Sequence, residues 1–275
     1  GKTGCDFPRD ATTKAGLSDA AMTPEFGSPR TAIVTGGARR IGATMVRALA
    51  ADGWHVLLHC HDSVEEAEAL AGTLADARVV SADLADPAAA DRIMAAAAGM
   101  PAPAVLINNA SRFSYDDIDD FTVDGWTQHL DANLRGPALL SRAIVGAVPA
   151  GAGGLIVNML DAKLAQPNPD FFSYTISKLG LAGLTEVAAR AYAARGIRVC
   201  GIAPAVTLVS GKQTEANFAD VHAFNALHRG VAVDDIVAAL RMIIATPVLT
   251  GQVITLDAGQ RFLGLSRDVQ YLEKE

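Results

Sequence analysis

Short apolar runs alternate with longer amphipathic segments over most of the chain. The runs at 31–34 and 104–108 consist almost entirely of apolar residues, which is typical of strands that are buried on both faces. Between such runs, apolar residues recur three and four positions apart, which predicts helices. The predicted strands are 31–34, 55–59, 78–81, 104–108, 155–159, 198–202 and 253–256, and the predicted helices are 43–51, 64–74, 87–98, 123–134, 136–148, 173–195 and 233–245.

The order of these elements predicts an α/β fold. Strands that alternate with helices are joined by right-handed crossovers, so the sheet should be parallel, doubly wound and covered by helices on both faces. We expect about seven strands in a single domain over residues 30–265. Residues 1–29 and 266–275 are predicted tails, and the Glu-Phe-Gly-Ser sequence at 25–28 resembles the product of a cloning site. The aperiodic segment 207–230 is predicted to be a mobile lid, with an ordinary surface loop as the alternative.

Composition narrows the class of function. The chain of 275 residues carries a formal net charge of −7, which argues against nucleic acid as a partner because phosphate backbones attract basic surfaces. The three cysteines, Cys5, Cys60 and Cys200, show no disulfide or metal spacing, which favours a reducing, cytoplasmic setting. The sequence contains no apolar run of about 18 residues, so we expect no membrane span. The six histidines show no ligand spacing, so we expect no metal.

Two segments carry candidate chemistry. The turn at residues 35–42, T-G-G-A-R-R-I-G, follows a predicted strand and opens a predicted helix. Glycine there lets the backbone approach a pyrophosphate, and the helix N-terminus supplies N–H donors, so this turn predicts a dinucleotide site. Tyr174 and Lys178 lie four residues apart, on one face of a predicted helix. An ammonium group should lower the pKa of a nearby phenol, and such a pair can donate a proton to an atom that receives a hydride.

The motifs T-G-x-x-x-R-x-G, N-N-A at 108–110 and Y-x-x-x-K, in this order, resemble the short-chain dehydrogenase/reductase family over residues 30–262. The resemblance implies a Rossmann-type three-layer fold, a nicotinamide cofactor and a homotetramer. It also implies that Tyr174 donates the proton, that Lys178 lowers the pKa of Tyr174 and holds the nicotinamide ribose, and that Asn133 holds a water beside Lys178.

Four residues narrow the resemblance to one branch of the family. Asp161 stands thirteen positions before Tyr174, where the family usually has serine, and Arg40 replaces a glycine of the turn. Together with Ser111 and Phe113 after N-N-A, they resemble the pteridine reductase branch, which includes bacterial dihydromonapterin reductases. This resemblance implies that Arg40 reaches the phosphates and the pterin, that Ser111 positions the substrate, and that Phe113 stacks on the pterin ring opposite the nicotinamide.

A carboxylate at position 161 fits a pterin better than a ketone. It would repel the negative charge that develops on a ketone oxygen, whereas it can accept hydrogen bonds from the ring N–H and the 2-amino group of a pterin. We therefore expect NADPH-dependent reduction of a dihydropterin to a tetrahydropterin, with proton donation from Tyr174 or Asp161. The alternatives are a carbonyl reductase of ketones, aldehydes or 3-oxoacyl groups and a non-catalytic dinucleotide-binding protein. The purely structural alternatives are a strand-end cap for Asp161, a core or lid contact for Phe113 and an exposed helix start for Arg40.

The end of the second predicted strand indicates the choice of cofactor. An acid there would accept a hydrogen bond from the ribose 2′-OH of NAD, but Cys60 occupies this position and so favours NADPH. Asp62 stands where the branch tends to have arginine, and it would repel a 2′-phosphate unless it turns outward. The predicted cofactor-binding residues are Gly36, Arg39, Arg40, Ile41, Gly42, His61, Ser63, Asp83, Leu84, Asn109, Ala110, Ser111, Tyr174, Lys178, Pro204 and Thr207. The predicted substrate-binding residues are Arg40, Ser111, Phe113, Asp161 and Tyr174. The predicted catalytic residues are Asp161, Tyr174, Lys178 and Asn133.

Overall fold

The helices and strands follow the alternation of the sequence. The computed structural model describes residues 25–209 and 213–271. Its strands are β1 (Thr31–Val34), β2 (His55–Cys60), β3 (Ala77–Ser81), β4 (Pro103–Asn108), β5 (Gly154–Met159), β6 (Ile197–Pro204) and β7 (Val253–Leu256). Its α-helices are α1 (Arg40–Ala51), α2 (Val64–Ala71), α3 (Ala89–Ala96), α4 (Val123–Leu130), α5 (Gly136–Ala147), α6 (Phe172–Tyr192), α7 (Glu215–Val221) and α8 (Val233–Ala245). Every predicted strand and helix is present, with ends that differ by a few residues.

The strands lie parallel in one sheet. Within the part of the chain that the structure describes, seven strands pair in the order β3-β2-β1-β4-β5-β6-β7. The chain adds strands outward on one side of β1 and then, from β4 onward, on the other side. A crevice therefore opens beyond the carboxyl ends of β1 and β4, which is where open α/β sheets bind their ligands. The predicted Rossmann-type, doubly wound α/β fold is confirmed.

An apolar layer lies on each face of the sheet. On one face α1, α2 and α8 pack against the strands, and Met45 and Ile236 are fully buried there. On the other face α3, α5 and α6 form a second layer, in which Ile93 is fully buried. Successive strand residues contribute to opposite layers, as Val105 and Leu106 do in β4. Because both faces are covered, the strands need apolar residues at nearly every position.

The amino-terminal residues correct one predicted boundary. Phe26 is buried and its ring lies 5.5 Å from that of Trp54 in an edge-to-face contact. The Glu25 carboxylate accepts two hydrogen bonds from Arg198, at 2.5 and 2.8 Å. The packed domain thus includes residues assigned to a tail by the sequence analysis, which had no periodic pattern to detect these single contacts. The rest of that predicted tail, residues 1–24, lies outside the described residues.

Two local structures depart from the predicted pattern. Asp131–Arg135 forms a π-helix that joins α4 to α5, so two predicted helices are one continuous helical segment. Such π-helical turns are rare in proteins, and those that occur are often found at functional sites. Helix α7 lies inside the segment predicted to be an aperiodic lid, where the Thr214 hydroxyl accepts a hydrogen bond from the Asn217 N–H at 3.1 Å and caps the helix. This capping residue was the available sequence signal for α7.

Candidate active site

The glycine turn closes tightly on the end of β4. Gly36 has a φ of +61°, and a β-carbon on Gly42 would lie only 2.0 Å from the Gly36 carbonyl oxygen, so a side chain at position 42 would force the turn apart. The Thr35 hydroxyl accepts hydrogen bonds from the N–H groups of Asn109 (2.9 Å) and Ala110 (3.0 Å). The Asn109 amide donates to the carbonyls of Thr35 and Gly36. The glycine turn and the N-N-A motif therefore form one hydrogen-bonded unit.

A cavity of about 630 Å³ lies over this turn. Its floor is glycine backbone and the amino-terminal end of α1, and these features fit the pyrophosphate of a dinucleotide because they offer close approach and N–H donors. The cavity is lined by twelve of the predicted cofactor-binding residues, namely Gly36, Arg39, Arg40, Ile41, Gly42, His61, Ser63, Asp83, Leu84, Asn109, Ala110 and Ser111.

His59 supports the turn from beneath, a role that the sequence analysis missed. Its buried ring lies with Nδ1 3.3 Å from the Gly36 nitrogen and Nε2 2.9 Å from the Ala82 carbonyl oxygen. Nε2 therefore carries the proton and donates it, while Nδ1 accepts from the Gly36 N–H. Burial lowers the pKa of His59, which keeps the ring neutral and preserves the acceptor.

The side chains around the end of β2 determine the charge that a 2′-phosphate would meet. Cys60 ends β2 as a buried thiol, so no carboxylate occupies the position that would favour NAD. Asp62 also lines this cavity, and its side chain is 86% exposed and lies 3.4 Å from His61. Arg39 forms an ion pair with Glu66 at 3.3 Å, and both side chains are exposed.

The predicted catalytic side chains meet at the carboxyl end of β5. Helix α6 carries Tyr174 and Lys178 on one buried face. The Tyr174 hydroxyl donates to Oδ2 of Asp161 at 2.8 Å, and the Lys178 ammonium donates to the Met159 carbonyl oxygen at 2.7 Å. The other Asp161 oxygen accepts from the Lys163 N–H at 2.8 Å. Asp161 is therefore both the strand-end cap of the structural alternative and a direct partner of the tyrosine.

Burial dominates the electrostatics of the Tyr174 and Lys178 pair. Burial raises the pKa of Tyr174 well above its ordinary value, and the charge and hydrogen bond of Asp161 raise it further. Burial also lowers the pKa of Lys178 to about 8, although Asp161 opposes that shift. The predicted lowering of the Tyr174 pKa by Lys178 stays a prediction. A spacing of four residues predicts that two side chains are neighbours, but it contains no information on the desolvation that dominates here.

Asn133 lies in the π-helical turn and is fully buried. Its side-chain oxygen accepts from the Arg112 N–H at 2.7 Å, and its amide donates to the Arg112 carbonyl oxygen at 2.9 Å and to the Ser177 hydroxyl at 3.0 Å. The side chain thereby fixes the backbone just before Phe113 and ties it to α6. The predicted water beside Lys178 stays a prediction.

A second cavity, of about 450 Å³, adjoins the first. Its walls include the remaining predicted cofactor residues Tyr174, Lys178, Pro204 and Thr207, together with all the predicted substrate residues Arg40, Ser111, Phe113, Asp161 and Tyr174. The ring of Phe113 stacks on Phe171 at 4.4 Å and meets Tyr174 edge to face at 4.8 Å. Because Phe171 stacks on one face of Phe113, that face is closed to a flat substrate.

Arg40 connects the two cavities to the predicted lid. It has a φ of +54°, which is unusual for a residue with a side chain, and it lines both cavities. Its guanidinium donates to the Val209 carbonyl oxygen at 2.6 Å. The Thr207 hydroxyl donates to the Ala205 carbonyl oxygen at 2.8 Å, so its predicted contact with a pyrophosphate stays a prediction.

The carboxyl-terminal segment, defined here as residues 265–271, forms a wall of the second cavity that the sequence analysis did not foresee. Arg267 clamps the buried Asp170 carboxylate with three hydrogen bonds of 2.7 to 3.0 Å, and the Asp268 N–H donates to the same carboxylate at 2.7 Å. Although burial alone would raise the pKa of Asp170, these contacts hold it below its ordinary value. Within the predicted tail 266–275, Asp268, Val269 and Gln270 line the cavity, and residues 272–275 lie outside the described residues.

Two further features concern the described residues only. No helix within 25–209 and 213–271 combines the length and apolar character needed to cross a membrane. In the same ranges, no group of three or more His, Cys, Asp or Glu side chains is arranged so that it could hold a metal ion.

Comparison with known proteins agrees with the fold. The profile of the family described as short chain dehydrogenase matches residues 30–219. A 3-alpha-(or 20-beta)-hydroxysteroid dehydrogenase of Mycobacterium bovis is 36% identical over 181 residues, which cover 64% of this chain and 68% of that protein.

Solved structures extend the similarity over more of the chain. FolM alternative dihydrofolate reductase 1 from Brucella canis, complexed with NADP, has a TM-score of 0.80 and 35% identity, covering 86% of this chain and 96% of that one. A short chain dehydrogenase from Burkholderia cenocepacia in complex with NADP has a TM-score of 0.76 and 30% identity, covering 84% of this chain and 97% of that one. This chain belongs to the short-chain dehydrogenase family of oxidoreductases.

Proposed function

We propose that this protein reduces a dihydropterin to a tetrahydropterin with NADPH. One observation carries the proposal: the Asp161 carboxylate accepts a 2.8 Å hydrogen bond from Tyr174 within the second cavity. A carboxylate with a free lone pair accepts from ring N–H and amino groups, and it repels a developing alkoxide. Arg40 and Phe113 line the same cavity and supply a cation and a flat apolar ring.

The cofactor assignment is supported by charge and by similarity. Cys60 and Arg39 favour a 2′-phosphate over a free 2′-hydroxyl group. The similar FolM and Burkholderia proteins were both crystallised with NADP. Bound NADPH would supply the hydride for the reduction.

The residues of this chain would supply the proton and the orientation. Asp161 accepts N–H groups of the substrate while Tyr174 donates to it, so the pair holds one mobile proton beside the nitrogen that must be protonated. Burial raises the pKa of Tyr174, and the negative charge of Asp161 raises it further. The substrate nitrogen would take the Tyr174 proton, directly or through Asp161, and the phenolate would regain a proton from solvent.

Reduction of a carbonyl group is the second candidate, because the hydroxysteroid dehydrogenase is similar to this chain. One assay of NADPH oxidation distinguishes the two candidate functions. The substrates are a 7,8-dihydropterin that carries a hydroxylated side chain and a panel of ketones that includes a steroid. We expect turnover of the pterin. Turnover of ketones without turnover of the pterin would refute the proposal.

The variant Asp161→Ser tests the observation that carries the proposal. It removes the acceptor of the N–H groups, and loss of a charge-assisted hydrogen bond costs about 1.5–3 kcal/mol, or roughly ten- to a hundredfold in kcat/KM for the pterin. The affinity for NADPH should stay within about twofold of wild type because Asp161 does not line the first cavity. Asp124→Ser, which changes an exposed aspartate of α4, is the matched control. Pterin turnover that survives in Asp161→Ser would leave Asp161 without a role in the substrate site.

A further inference from the structure

The carboxyl-terminal segment brings a second carboxylate to the substrate cavity. Leu265, Asp268, Val269 and Gln270 all line that cavity. The segment is held in place from several sides, because Arg267 and the Asp268 N–H bind Asp170 and because the Asn217 amide of α7 donates to the Gln270 carbonyl oxygen at 3.2 Å. The position of Asp268 therefore follows from hydrogen bonds that do not involve its own side chain.

The Asp268 side chain is largely enclosed and only partly satisfied. It is 16% exposed, and Oδ2 lies 3.8 Å from the Lys163 ammonium. Oδ1 accepts from the Gln270 N–H at 3.1 Å. Burial raises the pKa of Asp268 despite the lysine, and Asp161 raises it further, so the two aspartates influence each other across the cavity. An ionised carboxylate has about four lone-pair sites, so Asp268 can accept further hydrogen bonds from a substrate.

The cations near Asp268 are already matched by acids. Among the described residues that line the cavity, Lys163 lies between Asp268 and the Asp170 carbonyl oxygen, and Arg261 forms an ion pair with Asp257 at 2.9 Å. The other two cations of the lining, Arg40 and Lys178, donate to backbone carbonyl oxygens. A substituent with a negative charge that lies against Asp268 would be repelled by its carboxylate, and the nearest cation, Lys163, is already shared with Asp268. A neutral substituent with hydroxyl or amine donors would find an acceptor there instead.

We propose that Asp268 is a specificity-determining residue, which favours pterins with a neutral, donor-rich side chain over pterins whose side chain carries carboxylates. The proposal rests on the pterin function proposed above. It identifies the class of the C6 substituent, such as a chain with several hydroxyl groups, and it assigns the rejection of a glutamate tail, as in dihydrofolate, to one residue outside the family motifs. Asp268 acts on substrate binding in this scheme and takes no part in the transfer of hydride or proton.

The test compares two substrates that share one reacting ring. The kcat/KM is measured with a 7,8-dihydropterin that carries a polyhydroxylated side chain and with 7,8-dihydrofolate, for wild type and for Asp268→Asn. Wild type should prefer the neutral substrate, and the variant should reduce that preference by about tenfold, mainly through KM, with kcat within about twofold. The asparagine can still accept from the Gln270 N–H, so the segment should keep its place. Asp268→Glu restores the charge and should restore the preference.

A structural variant and a control accompany this comparison. Arg267→Met removes the clamp on Asp170 that holds Asp268 in position, so it should reduce kcat/KM for both substrates and also weaken the preference between them. Asp91→Asn, at an exposed position of α3, should change neither substrate. If Asp268→Asn does not fold, Asp268→Ser serves the same comparison.

The outcomes are distinct for the two proposals. Wild-type turnover of dihydropterin together with an unchanged substrate ratio in Asp268→Asn and Asp268→Ser would overturn the role of Asp268 alone. An equal loss for both substrates in Asp268→Asn would also overturn it, since that result indicates a structural role. Absence of any pterin turnover by wild type would overturn both proposals.

Discussion

The buried side chain of Asn133 offers a demanding test of how this site is held together. Asn133→Ala removes three hydrogen bonds, of 2.7 and 2.9 Å to the Arg112 backbone and of 3.0 Å to Ser177. Each is worth about 1 kcal/mol net. Arg112 is exposed, so water can partly replace its two lost bonds, while the Ser177 hydroxyl still donates to the Tyr174 carbonyl oxygen. We therefore expect a loss of about 2–3 kcal/mol in the free energy of unfolding.

The same change should weaken substrate binding more than cofactor binding. Asn133 fixes the backbone that precedes Phe113, and a displaced Phe113 would no longer be held in position against a flat ring. We expect the KM for the dihydropterin to rise by about tenfold, while the NADPH dissociation constant changes by less than about twofold. Urea unfolding followed by tryptophan fluorescence gives the stability, and initial rates of NADPH oxidation give the kinetic constants.

Two matched variants sharpen the result. Asn133→Asp keeps an acceptor for the Arg112 N–H but loses both donated bonds and buries a charge, so it should destabilise the protein more than Asn133→Ala at pH 7. Gln252→Ala changes an exposed amide next to β7 and should leave both measurements unchanged. The reasoning is refuted if Asn133→Ala unfolds within about 0.5 kcal/mol of wild type. It is equally refuted if kcat falls with KM intact, because Asn133 would then act through Lys178 and not through the Phe113 loop.

Two further predictions concern the cofactor cavity. Glu66→Gln frees Arg39 from its exposed ion pair and removes a negative charge beside it. Because such pairs are worth about 0–1 kcal/mol, we expect NADPH to bind about two- to fivefold more tightly and the affinity for NADH to stay unchanged. An equal gain for both cofactors would contradict this prediction. His59 has a lowered pKa in the folded state, with His61 and Asp83 as its charged neighbours. Its contribution to stability is therefore present above its unfolded pKa of 6.5 and is lost as pH falls through that value toward the folded pKa. Thermal unfolding between pH 7.5 and 5 should show a smaller loss of Tm in His59→Gln than in wild type.

Local patterns were sufficient for most of the fold. The strands are buried on both faces and so appear as apolar runs, and α8 coincides with its predicted range at Val233–Ala245. The features that were missed depend on contacts between distant residues. Phe26 packs on Trp54, and Arg198 pairs with Glu25 across 173 positions of sequence. No periodicity within either segment records such a pair. The homotetramer and its cytoplasmic setting stay predictions.

The same difference between local sequence patterns and contacts of distant residues applies to the candidate site. The motif residues come together as expected, because they lie at the carboxyl ends of adjacent strands or at the start of the helices that follow them. Asp268 and the Arg267 clamp could not be predicted, since the residues that they contact, Lys163 and Asp170, are about a hundred positions away and follow no motif. His59 was considered only as a possible metal ligand, so its hydrogen bond to the glycine turn was overlooked.

Asp161 links the identity of the substrate to the protonation of the catalytic pair. Its charge raises the pKa of Tyr174 and, in opposition to burial, raises that of Lys178. A hydroxyl at this position would leave the tyrosine a stronger acid and the buried lysine a weaker base. With the carboxylate present, the phenol is held protonated. Asp161 therefore bears on the choice of substrate through the N–H groups that it can accept, as proposed above.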